Sequence, residues 1–259
     1  GTSMPELVVS FIGALKGNAD VAIGNVVGSN IFNVLGILGV TALFFPIAIN
    51  KENMKFEIPL CIGVSIILML FAFNFFNGNP ACISRLDGVL LLIMFVGFMW
   101  YSFHRDKKNA TESTTSTEEK TPLWLAIVKV LGGLAVLITS CDFFVDNAVA
   151  VAKSFGVSDA IISLTLIACG TSLPELATSI VASCKGENDI AIGNVVGSNI
   201  FNILCILGLT SIVKPLENAT LNYIDFGIMT FISLLLLIFI ASGKVLNRIE
   251  GAILLLIYI

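Results

Sequence analysis

Two glutamates, Glu6 and Glu175, stand inside sequence that is apolar enough for a lipid bilayer. Each sits in the same setting, Thr-Ser-x-Pro-Glu-Leu. A carboxylate is expensive to place in hydrocarbon, so an intramembrane Glu is a functional candidate by default. Each is followed by a second polar element, Gly-Asn-Val-Val-Gly-Ser-Asn-Ile-Phe-Asn, at residues 24–33 and 193–202. The stretches 1–33 and 170–202 are near copies, with about two thirds of aligned positions identical, and an internal repeat of this kind governs how the rest is read.

The spacing predicts faces. Thr2, Glu6 and Ser10 recur at i, i+4 and i+8, as do Thr171, Glu175 and Ser179, so each trio forms one stripe on a helix. Asn25, Ser29 and Asn33 make a second stripe, matched by Asn194, Ser198 and Asn202. Proline removes the partner of the carbonyl four residues earlier. Pro5 and Pro174 are therefore expected to free the backbone oxygens of Gly1 and Gly170 beside the carboxylates. The pairs Gly24/Gly28 and Gly193/Gly197 are small-xxx-small patterns that predict close helix approach.

The chemistry of such stripes is oxygen chemistry. Carboxylates, hydroxyls, amide carbonyls and freed backbone carbonyls are present, without a cluster of His or Cys, which argues against zinc, copper or iron. Hard cations such as calcium take six to eight oxygens, and sodium has the same preference. Two carboxylates neutralise one divalent ion or two monovalent ions, not both loads at once, and that competition is a physical basis for exchange. Asn30 and Asn199 are left between interhelical glue and site. Asp142 and Asp146, one turn apart, read as a solvated helix end rather than an entry path. Asp225 reads as a helix-dipole or interface residue, and His104 is given no role.

Elements must position these residues, and the composition says of which kind. Hydrophobic residues make up 56% and charged residues 12% of the 259 positions, against about 25% charged in a soluble domain. The fold class expected is an all-α polytopic membrane protein. A β-barrel is disfavoured because the apolar runs are continuous rather than alternating. The net charge of -4 points to no nucleic-acid partner, and the six cysteines form no CxxC pair, reading as small buried hydrophobes. Spans are expected at about 21–46, 56–76, 85–103, 123–142, 159–184, 190–213 and 223–241, with a further apolar stretch from Asn247.

Residues 104–121, rich in Thr, Ser, Glu and Lys, read as a flexible linker. It divides a first repeat, 1–103, from a second, 122–259. The repeat extends to Arg85-Leu86-Asp87-Gly88 and Arg248-Ile249-Glu250-Gly251. Each half then reads as five spans, and an odd number gives two repeats of opposite orientation, a layout found in secondary transporters. The excess of basic residues flanking the linker and its neighbouring loops, Lys51, Lys55, Arg105, Lys107, Lys108, Lys120, Lys185, Lys244 and Arg248, places the linker in the cytoplasm. No apolar segment precedes the first cassette, and 247–259 is short for a bilayer of about 30 Å at 1.5 Å per residue. The expectation is a fragment lacking its first helix, half of the second and the tail of the last, and one that does not transport by itself.

Two copies of Gly-Thr-Ser-x-Pro-Glu-Leu followed by Gly-Asn-Val-Val-Gly-Ser-Asn-Ile-Phe-Asn resemble the α-repeats of the sodium/calcium exchangers, within the calcium:cation antiporter superfamily. The wording is nearest to the short prokaryotic-type members. The resemblance implies ligands at Thr2, Ser3, Glu6, Ser29 and Asn33 in the first repeat, and at Thr171, Ser172, Glu175, Ser198 and Asn202 in the second. The carbonyl of Ala168 or Cys169 would join them. It also implies alternating access, with calcium and sodium as transported ions and no cofactor. Some members carry Asp where Asn202 stands, notably potassium-dependent ones, so the neutral Asn here weakens a potassium-dependent reading.

The expected function is thus a sodium/calcium antiporter of the cell membrane, with a calcium/proton antiporter as the alternative and a cation channel behind both. An enzyme is not expected. A serine hydrolase needs a base beside its nucleophile, and His104 lies in the linker. Expected partners are calcium, sodium and the lipid bilayer, and a monomer is compatible with the sequence.

Overall fold

The apolar runs become helices, and the polar cassettes mark where those helices break. The computed structural model describes residues 2–49, 53–73, 82–112, 123–156, 168–217, 223–243 and 245–259. In the first half, α1 (Met4–Leu15) turns into α2 (Ala19–Phe32), a π-helix (Asn33–Leu38) and α3 (Gly39–Phe44). Strand β1 (Ile47–Ala48), α4 (Ile58–Ala72) with a π-helical entry (Asn53–Glu57), β2 (Cys82–Ile83) and α5 (Arg85–Glu112) follow. The second half holds α6 (Leu123–Ser154), a single turn α7 (Ala168–Gly170), α8 (Leu173–Cys184), α9 (Asn188–Phe201), a π-helix (Asn202–Leu207) and α10 (Gly208–Val213). It ends with β3 (Leu216–Glu217), α11 (Tyr223–Gly243), β4 (Val245–Leu246) and α12 (Arg248–Tyr258).

Among the described residues, five helical stretches are long and apolar enough to cross a membrane: Ala19–Phe44, Lys55–Ala72, Arg85–Arg105, Asn188–Val213 and Tyr223–Ala241. The outer surface carries Val8, Ile12, Ile93, Val96, Trp100, Phe231 and Ile238, all exposed, while Glu6, Ser10, Asn33, Glu175, Ser179 and Asn202 are fully buried. Apolar side chains outward and polar ones inward is the pattern of a protein solvated by lipid, where polar groups survive only facing other protein or an internal cavity.

Both cassettes turn by the same device. Gly17 has φ 81° and Gly186 φ 79°, a left-handed conformation that glycine adopts without a Cβ penalty. After α1, Asn18 N–H donates to Gly13 O at 2.9 Å and Gly17 N–H to Ala14 O at 3.0 Å. After α8, Glu187 N–H donates to Ala182 O at 2.9 Å and Gly186 N–H to Ser183 O at 3.0 Å. These are Schellman caps, and they fold α2 back on α1 and α9 back on α8.

The halves are joined by exchange. Strand β1 pairs antiparallel with β4 (Ile47 with Leu246), and β2 with β3 (Cys82 with Glu217). Helix α3 packs on α12 and α10 on α5. Two glycine pairs set these approaches. A Cβ on Gly251 would lie 2.9 Å from Gly39 O, and one on Gly88 2.8 Å from Gly208 O. Each of these strand pairings and helix contacts thus has a counterpart with the halves interchanged. Basic residues mark both ends of α5 and its neighbours. Near one end Arg105 forms an ion pair with Glu57 at 2.9 Å, while near the other Arg85 donates to Val213 O and Lys214 packs against Gly17.

The structure amends several expectations. Gly24, Gly28, Gly193 and Gly197 do not mediate close packing, since a Cβ on any of them would meet nothing within 4 Å. The close approaches fall instead at Gly39/Gly251 and Gly88/Gly208. Helix α5 runs on to Glu112, through the first part of the stretch read as a flexible linker, where Arg105, Lys107, Lys108, Ala110 and Glu112 are good helix formers. Residues 113–122 lie outside the described residues, as does most of the segment before α7. The expected helix over 159–184 is interrupted at Thr171-Ser172, which form a turn. Pro5 and Pro174 therefore sit in the first turns of α1 and α8, where the missing N–H is unneeded, rather than kinking continuous helices.

Candidate functional site

The two helix starts, Thr-Ser-x-Pro-Glu, face each other across the junction of the halves, and each supplies a hydroxyl to the other's carboxylate. Ser3 Oγ donates to Glu175 Oε1 at 2.7 Å, and Ser172 Oγ donates to Glu6 Oε1 at 2.9 Å. Thr2 Oγ1 donates to Asn194 Oδ1 at 3.1 Å. Thr171, at the position equivalent to Thr2, is half-buried and likewise engaged. Among the described residues the hydrogen-bond partners of both carboxylates are hydroxyls, without a basic side chain.

The second stripes divide their labour. Asn25 Nδ2 donates to Glu6 O at 3.1 Å and to Ser10 Oγ at 2.9 Å. Asn194 Nδ2 donates to Glu175 O and to Ser179 Oγ, each at 3.1 Å. Asn25, Asn194, Ser10 and Ser179 are thus braces that lock each helix start to the next helix and hold the glutamate backbone in place. One turn further on, Ser198 Oγ donates to Glu175 Oε1 at 3.4 Å, and Ser29 Oγ accepts from Asn202 Nδ2 at 3.3 Å.

Asn33 and Asn202 open the two π-helices. A π turn widens the helix by one residue, and such bulges occur frequently at functional sites. Asn33 Nδ2 donates to Asn199 Oδ1 at 2.9 Å, and Asn202 Nδ2 to Asn30 Oδ1 at 3.0 Å. Neither π-helix is foreshadowed by the residue pattern, which also leaves Asn30 and Asn199 undecided.

Four buried oxygens of this cluster accept no hydrogen bond: Glu6 Oε2, Glu175 Oε2, Asn33 Oδ1 and Asn202 Oδ1. Two are carboxylate and two amide, one of each from either half. A buried acceptor left open costs about 1–3 kcal/mol, and more when charged, and an ion is among the standard reasons for leaving one so. The donor set is oxygen throughout. Among the described residues no group of three or more His, Cys, Asp and Glu assembles, so the centre suits hard cations rather than transition metals.

A cavity of about 250 Å³ adjoins the cluster, lined by Thr2, Ser3, Asn194 and Ser198 on its polar side and by Phe95 and Phe201 among its apolar residues. Gly193 and Gly197 also line it, which is why these glycines touch no neighbouring helix. Phe95 and Phe201 stack edge to face at 5.6 Å. Phe32 and Tyr258 form the counterpart pair across the halves, tilted at 5.4 Å, and Tyr258 Oη also meets Cys169 Sγ at 3.3 Å.

The carbonyl of Cys169 accepts from Ser172 N–H at 3.1 Å and closes the turn before α8. Asp142 and Asp146 lie on α6 with their side chains outside the described ones. His104 rests on Trp100, its Nδ1 3.1 Å from Trp100 O, away from the site.

These features define an integral membrane protein whose two related halves meet at a buried, oxygen-lined centre. The family model described as "Sodium/calcium exchanger protein" matches residues 1–104 and 125–259, and the chain belongs to this family. It is 41% identical to the "Putative antiporter CaxA" of Alkalimonas amylolytica, covering 100% of this chain and 82% of that one. It is 37% identical to the "Inner membrane protein YrbG" of Escherichia coli K12 (91% and 73%) and 32% identical to the "Sodium/calcium exchanger MaX1" of Methanosarcina acetivorans (100% and 84%). A solved structure of the sodium-calcium exchanger NCX_Mj superposes with a TM-score of 0.81 at 29% identity, covering 100% of this chain and 81% of that one. Membership of an antiporter family and the membrane location follow, in line with the resemblance of the cassettes.

Proposed function

We propose that this chain carries the transport core of a sodium/calcium antiporter working by alternating access across the cell membrane. The observation that carries the reading is the set of four open buried oxygens, Glu6 Oε2, Glu175 Oε2, Asn33 Oδ1 and Asn202 Oδ1. Thr2, Ser3, Ser29, Thr171, Ser172 and Ser198 complete the oxygen shell around them. Two negative charges balance one calcium ion or two sodium ions, so loading one cargo discharges the other. The two-fold exchange of contacts between the halves supports an inverted-repeat arrangement, in which rocking about the shared centre opens it to either side in turn. The protein acts on ions without covalent chemistry, needs no cofactor, and works in a prokaryotic inner membrane.

The test is calcium flux in proteoliposomes holding the full-length protein. Sodium loaded inside, with none outside, is expected to drive calcium in, and Glu175→Gln to abolish the flux. Uptake of normal size without a sodium gradient sinks the sodium reading. A second reading, calcium/proton exchange, is favoured by one observation: both carboxylates are fully buried with hydroxyl partners and no basic one among the described residues, so each has a neutral, protonated alternative. Uptake driven by a pH gradient alone selects it.

A further inference from the structure

We infer that Asn30 and Asn199 are positioning residues that fix the amide orientation of Asn202 and Asn33, so that both turn oxygen rather than NH2 toward the ions. The inference rests on the cation-site reading above.

The orientation of an asparagine amide is ambiguous by shape, because its oxygen and nitrogen ends differ little in size. It is settled where one end faces a group that can only accept. Asn30 Nδ2 faces the backbone oxygen of Asn199 at 3.3 Å, and Asn199 Nδ2 faces the backbone oxygen of Asn30 at 3.3 Å. A backbone carbonyl cannot donate, so both amides have their NH2 on that side. Asn30 Nδ2 also reaches Met229 Sδ at 3.8 Å, another acceptor.

The consequence passes one residue further. With its NH2 committed, Asn30 presents Oδ1 to Asn202, and that oxygen accepts from Asn202 Nδ2 at 3.0 Å. Asn199 presents Oδ1 to Asn33, accepting from Asn33 Nδ2 at 2.9 Å. Asn33 and Asn202 then have only Oδ1 left to offer, and those are two of the four buried oxygens without a partner. Interhelical glue would satisfy both ends of each amide. Here the chain of bonds starts at two backbone oxygens and ends at two open acceptors. All four asparagines are buried, none more than 1% exposed, so water does not compete for the orientation. A flipped amide would put the positive end of its dipole against a cation.

The experiment is equilibrium calcium binding and sodium-driven calcium uptake by the full-length protein, unsubstituted and as Asn199→Ala, Asn33→Asp and the double variant. Asn199→Ala removes the acceptor that holds Asn33, and is expected to raise the calcium concentration for half-saturation by ~10-fold, the upper scale of one lost amide–amide hydrogen bond. The maximal rate changes little. A carboxylate at position 33 has no NH2 to turn and faces Asn199 Oδ1 acceptor to acceptor, so in the Asn33→Asp background the same substitution is expected not to raise half-saturation. Asn30→Ala with Asn202→Asp forms the matching cycle.

Equal shifts in both backgrounds overturn the inference, since they assign Asn199 to packing alone. If Asn199→Ala is not monodisperse, Asn199→Ser takes its place in the cycle, its hydroxyl being too short to replace Oδ1. Failure of the unsubstituted protein to bind calcium or sodium overturns the transport reading and this inference together. Binding with equal shifts overturns only this one.

Discussion

The two cassettes are near copies in sequence, yet they do not hold their carboxylates alike. Glu175 Oε1 is met by two hydroxyls, Ser3 from the other half and Ser198 from its own. Glu6 Oε1 is met by Ser172, while Ser29, the counterpart of Ser198, turns back to the carbonyl of Asn25 at 2.7 Å and accepts from Asn202. The same residue types therefore give a centre that is symmetric in composition and asymmetric in bonding. One serine serves the carboxylate and its twin serves the amide. A carrier that takes ions of different charge at one centre gains from places that are not equivalent.

The largest test of the comparison is the carboxylates themselves. Glu6→Gln and Glu175→Gln are each expected to lower calcium affinity by ~100-fold or more, because each leaves one charge to balance a divalent ion in a desolvated site, as read by equilibrium calcium binding. Next come the glycines. Gly251→Ala and Gly88→Ala press a methyl against a backbone carbonyl and are expected to cost about 2 kcal/mol of stability. Gly24→Ala and Gly193→Ala meet open space and are expected to be neutral or to stabilise their helices by up to about 1 kcal/mol. Thermal unfolding in detergent separates the two sets.

The serines sharpen the asymmetry. Ser198→Ala is expected to weaken calcium binding by ~10-fold, since it takes a hydrogen bond from a carboxylate. Ser29→Ala, whose hydroxyl already bonds its own helix, is expected to weaken it by only about 2-fold. Equal effects on calcium titration would show that ion loading erases the difference. The smallest effect lies at the turns. Asn18 caps α2 through Val21 N–H at 3.4 Å, whereas Glu187 makes no side-chain cap on α9. Asn18→Ala is expected to cost about 0.5–1 kcal/mol and Glu187→Ala nothing measurable in the same melts.

Much of this centre was legible in the residues. Glu6 with Ser10, and Glu175 with Ser179, do share a helical face, each pair bridged by one asparagine, because a four-residue spacing places side chains on one face, whereas Thr2 and Thr171 lie in the turns before α1 and α8. What escaped depends on the partner rather than the helix. Gly24 and Gly28 carry the same pattern as a packing motif, but only the fold shows that their face is open, and that Gly39 meets Gly251 instead. Asn25 and Ser29 share a stripe, yet one braces the backbone of Glu6 while the other bonds toward Asn202. The π-helices leave no mark in Asn33-Val34-Leu35-Gly36-Ile37-Leu38, since an i→i+5 turn and an i→i+4 turn ask for the same apolar residues. The proline lesson is one of register: the helix begins at Leu173, so Pro174 starts it and frees no carbonyl within it.

The π-helix after Asn33 joins two contacts with different demands. Before it, the helix must aim Asn33 at Asn199; after it, Gly39 must seat against Gly251. A regular α-helix advances about 100° per residue, so the one extra residue in the wide turn works as a phase shifter between the ion centre and the helix crossing. Straightening the wide turn without removing a residue would swing Gly39 by about that angle, presenting a larger neighbour to the crossing, whereas deleting one residue from 34–38 restores a regular coil with Gly39 still at the crossing. The stretch is therefore expected to bear the loss of that one residue better than the gain of another, and to accept exchange among apolar residues, and the same holds between Asn202 and Gly208 in the other half.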